Sequence, residues 1–342
     1  MLSNNEKLIL YGLAKHPLFS SRELAERLNL NLSTVIACKR RLKKEGFFYR
    51  VRIPIAQYIG CEMLHIAFAT FILGLSLDKR LKLGAKFDIE HPEVFWMLSE
   101  PSQGMTLQFS RSYSDTKERL ENIEKVYTKH GFLGGSGITL LSFPLKLTKI
   151  YNFFNYAFLL KYLFDIEDEK ISFEFGGKSI KLTNREKKVY YALIKYPELS
   201  DKDLAKTTRV SRATVSSLRK KFDGKIMKTE YIIDLKKLEI KIVALIHMKF
   251  NLATSLKIKE GIAKSLLFQG SIFLILEHVD LVALTPFKDF DAYRTYMNRF
   301  SEIHKEYEIL AQEPTILLFA LSESRFPKTH VYAPLVKKVL NI

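Results

Sequence analysis

The chain repeats itself. With Leu2 placed over Leu182 the register holds without a gap as far as Leu42 over Phe222, and about 13 of the 41 aligned pairs are identical. They include Glu6/Glu186, Tyr11/Tyr191, Pro17/Pro197, Ser20/Ser200, Leu24/Leu204, Ala25/Ala205 and Thr34-Val35/Thr214-Val215. After a two-residue shift near Gly46/Gly224 the correspondence continues weakly to the end of each half. There Tyr156-Ala157 with Leu159 and Lys161 matches Tyr332-Ala333 with Leu335 and Lys337. A duplicated chain of 342 residues has to fold as two copies of one unit, which removes most single-core architectures from consideration.

Each half opens with three short helical patterns. In the first, Glu6 to Lys15 carries apolar Leu8, Ile9, Tyr11 and Leu13 and stops before Pro17. Ser20-Ser21-Arg22-Glu23 has the spacing of a capping box, in which hydroxyl and carboxylate satisfy the first free amides of a helix. Asn31 or Ser33 then caps a third helix running to Glu45, with Gly46 as its stop. The second half repeats the pattern at 184–195, 201–208 and 212–222. Three helices with a short turn before the third make a helix-turn-helix.

An alternating stretch, Phe47 to Ile53, follows the first triplet and sends Tyr49, Val51 and Ile53 one way, Arg50 and Arg52 the other. The rest of each half reads strand, helix, strand, strand, helix, strand. Strands are expected near 63–73, 94–100, 105–110 and 138–143, and near 240–250, 271–278, 281–285 and 315–321. Helices are expected near 76–87, 114–130, 253–267 and 289–306, with closing helices at 155–164 and 334–340. The predicted fold class is α+β: two tandem units, each a winged, tri-helical helix-turn-helix domain followed by a βαββαβ ferredoxin-like domain. The expected segments are 1–60 and 182–239 for the helix-turn-helix domains, 61–164 and 240–342 for the ferredoxin-like domains, and 165–181 for a linker hairpin turning on Gly176-Gly177.

Charge locates the function. The sequence has 54 Lys+Arg against 37 Asp+Glu, a net +17. Residues 1–60 and 181–240 carry about +15 of it in about a third of the chain. Basic runs on helices are often only solvated faces, but segregation onto both copies of a helix-turn-helix points to double-stranded DNA. The third helix is then the reader. Its apolar side is Val35, Cys38 and Leu42 in one copy and Val215, Leu218 and Phe222 in the other. On the opposite face, base contact is expected from Ser33, Ala37 and Arg40, and from Ala213, Ser217 and Lys220. Phosphate contact is expected from Lys39, Arg41, Lys43, Lys44, Arg50 and Arg52, and from Arg212, Arg219 and Lys221. Asp223 and Glu230 near the second reader predict that the first copy supplies more of the electrostatic affinity.

Thr34-Val35 through Arg40-Arg41-Leu42-Lys43-Lys44-Glu45-Gly46, preceded by Leu24-Ala25 and followed by a basic strand, resembles the helix-turn-helix of Lrp/AsnC (feast/famine) transcription regulators. Asp234-Leu235-Lys236-Lys237-Leu238 is similar to that family's connector into its ferredoxin-like (RAM-like) domain. The motif match covers about 25 residues of each helix-turn-helix, and the architecture covers the chain. Family members usually carry one such unit and dimerise, so this chain is expected to be a homodimer or an internal pseudo-dimer. The resemblance implies a sequence-specific transcription regulator whose ferredoxin-like domains pair, with effector sensing as a further option. The family's glycine-and-aspartate signature between the middle strands is missing at 100–104 and partial around Asp280.

Two other functions compete with this one. One is a factor that mainly recruits basal transcription machinery, for which the aromatic run Phe153, Phe154, Phe158 and Tyr162 would offer a surface. The other is an enzyme like the sirohaem decarboxylases, which share the Lrp/AsnC-like two-unit architecture. Their chemistry needs basic and histidine side chains on the ferredoxin-like unit, whereas here the cations gather on the helix-turn-helix, so no enzyme activity and no cofactor are expected.

Other motifs resolve into structure. Gly177-Lys178-Ser179 echoes a phosphate loop but has Ser172 where glycine is needed. Gly134-Gly135-Ser136-Gly137 lacks the flanking strand and helix of an anion cradle. Glu277, His278 and Asp280 read as hairpin residues before acid–base groups, and Cys38 as core. The eight histidines and two cysteines show no metal-ligand spacing. No stretch reaches the roughly 18 apolar residues of a membrane span, and so few cysteines suit a reducing, cytoplasmic compartment.

Overall fold

Local capping chemistry sets the first elements. In the computed structural model, which describes residues 2–74, 76–133, 137–167, 180–305 and 309–342, α1 (Asn4–Lys15) starts on a capping box between Ser3 and Glu6, and α2 (Ser21–Leu28) on the predicted one between Ser20 and Glu23. Asn29 ends α2 in the left-handed conformation, and α3 (Leu32–Lys44) begins three residues later with Asn31 at the cap position. The order continues with β1 (Phe48–Pro54), β2 (Met63–Thr70), α4 (Leu77–Glu90), β3 (Val94–Ser99), β4 (Gln103–Ser110), α5 (Tyr113–Lys129), β5 (Thr139–Pro144), β6 (Lys149–Phe153) and α6 (Ala157–Phe164).

The second half repeats the series: α7 (Asn184–Lys195), α8 (Asp201–Thr208), α9 (Arg212–Phe222), β7 (Met227–Ile233), β8 (Ile242–Lys249), α10 (Leu256–Phe268), β9 (Phe273–Glu277), β10 (Asp280–Phe287), α11 (Phe290–Lys305), β11 (Thr315–Ala320), β12 (Arg325–Lys328) and α12 (Ala333–Leu340). Thr183 and Glu186 rebuild the capping box of α7, and Arg209 takes the left-handed turn that Asn29 takes in the first copy. The α+β class and the repeated helix-turn-helix and βαββαβ units are thus present. Residues 168–179 of the expected linker hairpin, with Gly177-Lys178-Ser179, and 134–136 of Gly134–Gly137 lie outside the described residues.

The compact units do not follow the linear segments. Unit 1 is Met1–Arg50, Thr148–Phe175 and Thr229–Ser322; unit 2 is Val51–Leu147, Gly176–Lys228 and Glu323–Ile342. Each joins one helix-turn-helix to the ferredoxin-like sheet from the opposite half of the sequence. The expected segment 61–164 is therefore divided at Thr148, and 240–342 at Glu323. Two short strands absent from the expected series accompany the exchange. The sheet of unit 1 runs β11-β8-β10-β9-β6 and that of unit 2 runs β5-β2-β4-β3-β12. The first four strands in each have the ferredoxin-like order, and the fifth is lent by the other half.

Unit 1 is closed by α6, which packs on α1 and α10. Asn155 ties the corner by donating to the Ala14 carbonyl and the Glu230 carboxylate, both at 3.1 Å. Phe153, Phe154 and Phe158 are buried in this packing and only Tyr162 is substantially exposed, so the aromatic run proposed as a recruitment surface is core. In unit 2, α12 packs on α7, where Lys187 caps the helix end by donating to the Leu340 carbonyl at 2.9 Å. His65 lies fully buried on β2 between the hydroxyls of Ser142 and Ser110, at 2.9 and 2.8 Å.

Candidate nucleic-acid interface

The reading helices turn the expected face outward in both copies. In α3, Val35 and Leu42 are completely buried against α1 and α2, and Cys38 is half-buried beside them. Ser33, Ile36, Ala37, Arg40 and Lys44 are exposed on the other side. In α9, Val215 and Phe222 are buried while Ala213, Ser217 and Lys220 are exposed. Tyr190 of α7 locks this packing, with its ring edge-on to Phe222 at 5.5 Å and its hydroxyl donating to the Ile226 carbonyl. The six side chains predicted to face bases all lie on solvent-facing surface.

The nine predicted phosphate ligands divide into groups. Lys44 and Arg212 are exposed and, among the described residues, make no ion pair or hydrogen bond; the same holds for Arg40 and Lys220 on the reading face. Lys43 is exposed as well. Arg41 forms an ion pair with Glu6 and a longer one with Glu45 at 3.6 Å. Its counterpart Lys221 pairs with Glu186, the counterpart of Glu6, at 2.6 Å. Each copy thus clamps its reading helix to its first helix through a carboxylate that also completes a capping box. The Lys221 ammonium, followed by the Thr183 amide, holds the Glu186 carboxyl down at about 2. Arg219 is half-exposed and pairs with Asp201 at 3.0 Å. Lys39 and Arg50 both lie over the Tyr231 ring, at 5.8 and 5.5 Å, and Arg50 donates to the Tyr231 hydroxyl at 3.2 Å.

Arg52 does not belong to the set. It is 3 % exposed and donates to the Leu193 carbonyl at 3.0 Å inside unit 2. Alternation placed it correctly on the side of Arg50, but both faces of the distal part of β1 are covered. Nor does Glu230 oppose the second reader, since it is buried and accepts from Asn155 in unit 1. Glu6, Glu186, Asp201 and Tyr231 were not anticipated as partners of the cations. The identity of Glu6 with Glu186 in the repeat was the one available signal for the clamp.

The remaining candidates take structural places. Asp280 accepts from His247 at 2.7 Å across β8 and β10, and His278 sits in the tight β9–β10 turn with φ of 40°. Cys61 is buried, and its thiol is pushed up to about 12 by desolvation. No helix among the described residues is long and apolar enough to cross a membrane.

The fold is that of a tandem winged helix-turn-helix protein with ferredoxin-like partners, and α3 and α9 expose basic faces. Residues 2–48 match the family model for winged helix-turn-helix DNA-binding domains, so the chain carries such a domain. Its full length shares the fold of the siroheme decarboxylase NirDL, at 14% identity, TM-score 0.53 and 99% coverage of both chains. The same figures hold for NirDL in co-complex with an iron-uroporphyrin III analogue. LrpC of B. subtilis aligns over 41% of this chain and 95% of its own, at 15% identity and TM-score 0.31. No curated protein matches the sequence.

Proposed function

We propose that the protein is a sequence-specific DNA-binding transcription regulator that reads duplex DNA with α3 and α9. The observation that carries this reading is the pair of outward helix faces, each bearing small residues at its N-terminal turns and unpaired cations beside them, on a chain whose first 48 residues include a winged helix-turn-helix match. Such a helix sets its N-terminal residues at base edges and its flanking cations at phosphates. Arg40 has the fork to address guanine, while Ser33, Ala37, Ala213 and Ser217 allow close approach or pack on a thymine methyl. Lys43, Lys44 and Arg212 supply the sequence-independent attraction, each reducing log affinity with log salt by about 0.9. Arg41, Arg219 and Lys221 serve first to brace the reading helices, and contact phosphate with whatever reach their carboxylates leave.

Selection from a random duplex library, followed by binding across a salt series, tests this. Enrichment of two half-sites supports it, and an Arg40→Ala variant with unchanged affinity and preferred sequence overturns the assignment of α3. Siroheme decarboxylation is the second reading, favoured by the full-length likeness to NirDL. Absence of DNA binding at low salt, together with a new absorbance band on titration with an iron porphyrin, would replace the first reading by the second.

A further inference from the structure

The two ferredoxin-like cores differ at matched positions. In unit 1 the sheet face under α10 and α11 presents Ile246 and Met248 on β8, Leu276 on β9 and Leu281 on β10, all buried in one continuous apolar cluster. The strand registers place Ala67, Ala69, Ser99 and Gly104 of unit 2 at the same four positions. Each exchange removes roughly two to four heavy atoms, and deletions of that size leave a cavity unless the walls collapse. At Gly104 the wall has closed, since the edge of the Phe71 ring lies 3.1 Å from where a Cβ would stand. Beside Ala67 and Ala69 a cavity of about 120 Å³ remains between this sheet and helices α4 and α5.

A cation that the duplication kept in place lines that cavity. In unit 1, Lys259 of α10 is buried over the Phe250 ring at 5.9 Å. In unit 2, Arg80 of α4 stands at the equivalent position, 3 % exposed, with its guanidinium 3.5 Å from the centre of the Phe71 ring. Arg80 donates to the Pro101 carbonyl at 2.9 Å, to the Ser99 hydroxyl at 3.2 Å and to the Glu100 carbonyl. It pairs with no carboxylate among the described residues: the Glu100 side chain is engaged by Ser324 and Gln103 instead. The second arginine of the cavity, Arg119, is neutralised by Glu93 at 3.2 Å. Removing a guanidinium from water is costly, and Arg80 is compensated only by two carbonyls, one hydroxyl and the Phe71 ring.

We propose that this cavity binds a small apolar monocarboxylate, with the carboxylate on Arg80 and the hydrocarbon against Ala67 and Ala69. One guanidinium with no carboxylate partner among the described residues suits one carboxylate; the second arginine, Arg119, is held by Glu93, which also pairs with Lys338. The volume sets the size, because a cavity of about 150 Å³ holds benzene, so this smaller one holds a tail of about five carbon atoms. The site is independent of DNA recognition.

Calorimetric titration of the full chain with hexanoate, and with 1-hexanol as the uncharged analogue, tests the proposal. Hexanoate is expected to bind with one site per chain, and 1-hexanol at least tenfold more weakly. Arg80→Met should abolish that preference. Since Arg80 also holds the 99–101 turn, a second variant decides the matter if that one fails to fold. Ala69→Met installs the residue unit 1 uses at this position; it should abolish hexanoate binding while leaving the melting temperature at or above the parent value. Failure of hexanoate to bind, equal binding of the alcohol, or undiminished binding by Ala69→Met would each overturn the proposal.

Discussion

Gly270→Ala gives the sharpest test of the exchanged architecture. Gly270 follows α10 with φ of +89°, and a Cβ there would lie 2.9 Å from both the Cα and the Cδ1 of Leu159 on α6. The nearest atom belongs to backbone and cannot rotate away. Gly46 of the same unit follows α3 with φ of +74°, and nothing lies within 4 Å of its added Cβ. Alanine in the left-handed region costs about 1 kcal/mol at either site. The clash at Gly270 adds overpacking of about 2 kcal/mol. For a unit of this size about 3 kcal/mol lowers the melting temperature by roughly 9 °C, against roughly 3 °C for Gly46→Ala. Thermal melts followed by circular dichroism measure both. The extra loss exists only if the closing helix of the first half lies on the sheet domain of the second. Equal shifts for the two variants would refute that placement.

Other expectations follow from single contacts. Arg52→Ala should cost about 2 kcal/mol through loss of the buried bond to Leu193 and leave the salt dependence of DNA binding unchanged; a slope reduced by about one would return Arg52 to the interface. Burial holds His65 down at about 4, so the folded state resists a proton that the unfolded chain takes up near 6.5. Stability should therefore fall as pH drops from 6.5 toward 4, and His65→Gln should flatten that decline in melts at pH 7, 5 and 4. Glu186→Gln removes the charge that braces Lys221 while its amide oxygen still completes the capping box; it should lower stability by about 0.5 kcal/mol, and an unchanged denaturation midpoint would show the clamp to be idle.

Much of this arrangement was readable because it is local. Capping boxes at Ser20 and the apolar spacing of Val35, Cys38 and Leu42 involve residues within one or two turns, and the repeat doubled each signal. Strand exchange is different in kind. β6 and β12 are five and four residues long, irregular in register, and each joins a sheet that is a near copy of the alternative one. Alternation cannot choose between two such edges, because both offer the same pattern of faces. The same gap explains Arg52: periodicity of two gives the side of a strand and says nothing about whether that side is covered. The clamp between Glu6 and Arg41 joins residues far apart in sequence, and only the matched pair Glu186 and Lys221 marks it.

The proposed DNA recognition rests on α3 and α9 as reading heads. Two double variants, Arg40→Ala with Lys44→Ala and Arg212→Ala with Lys220→Ala, remove only exposed side chains and should leave the fold intact. Their affinity for the selected duplex, measured across a salt series, tests the claim most directly. Each pair should weaken binding at least about tenfold and reduce the salt slope by about one, because each removes one phosphate cation, Lys44 or Arg212, together with one base-facing side chain. Parent affinity and slope in both would mean that neither helix touches DNA.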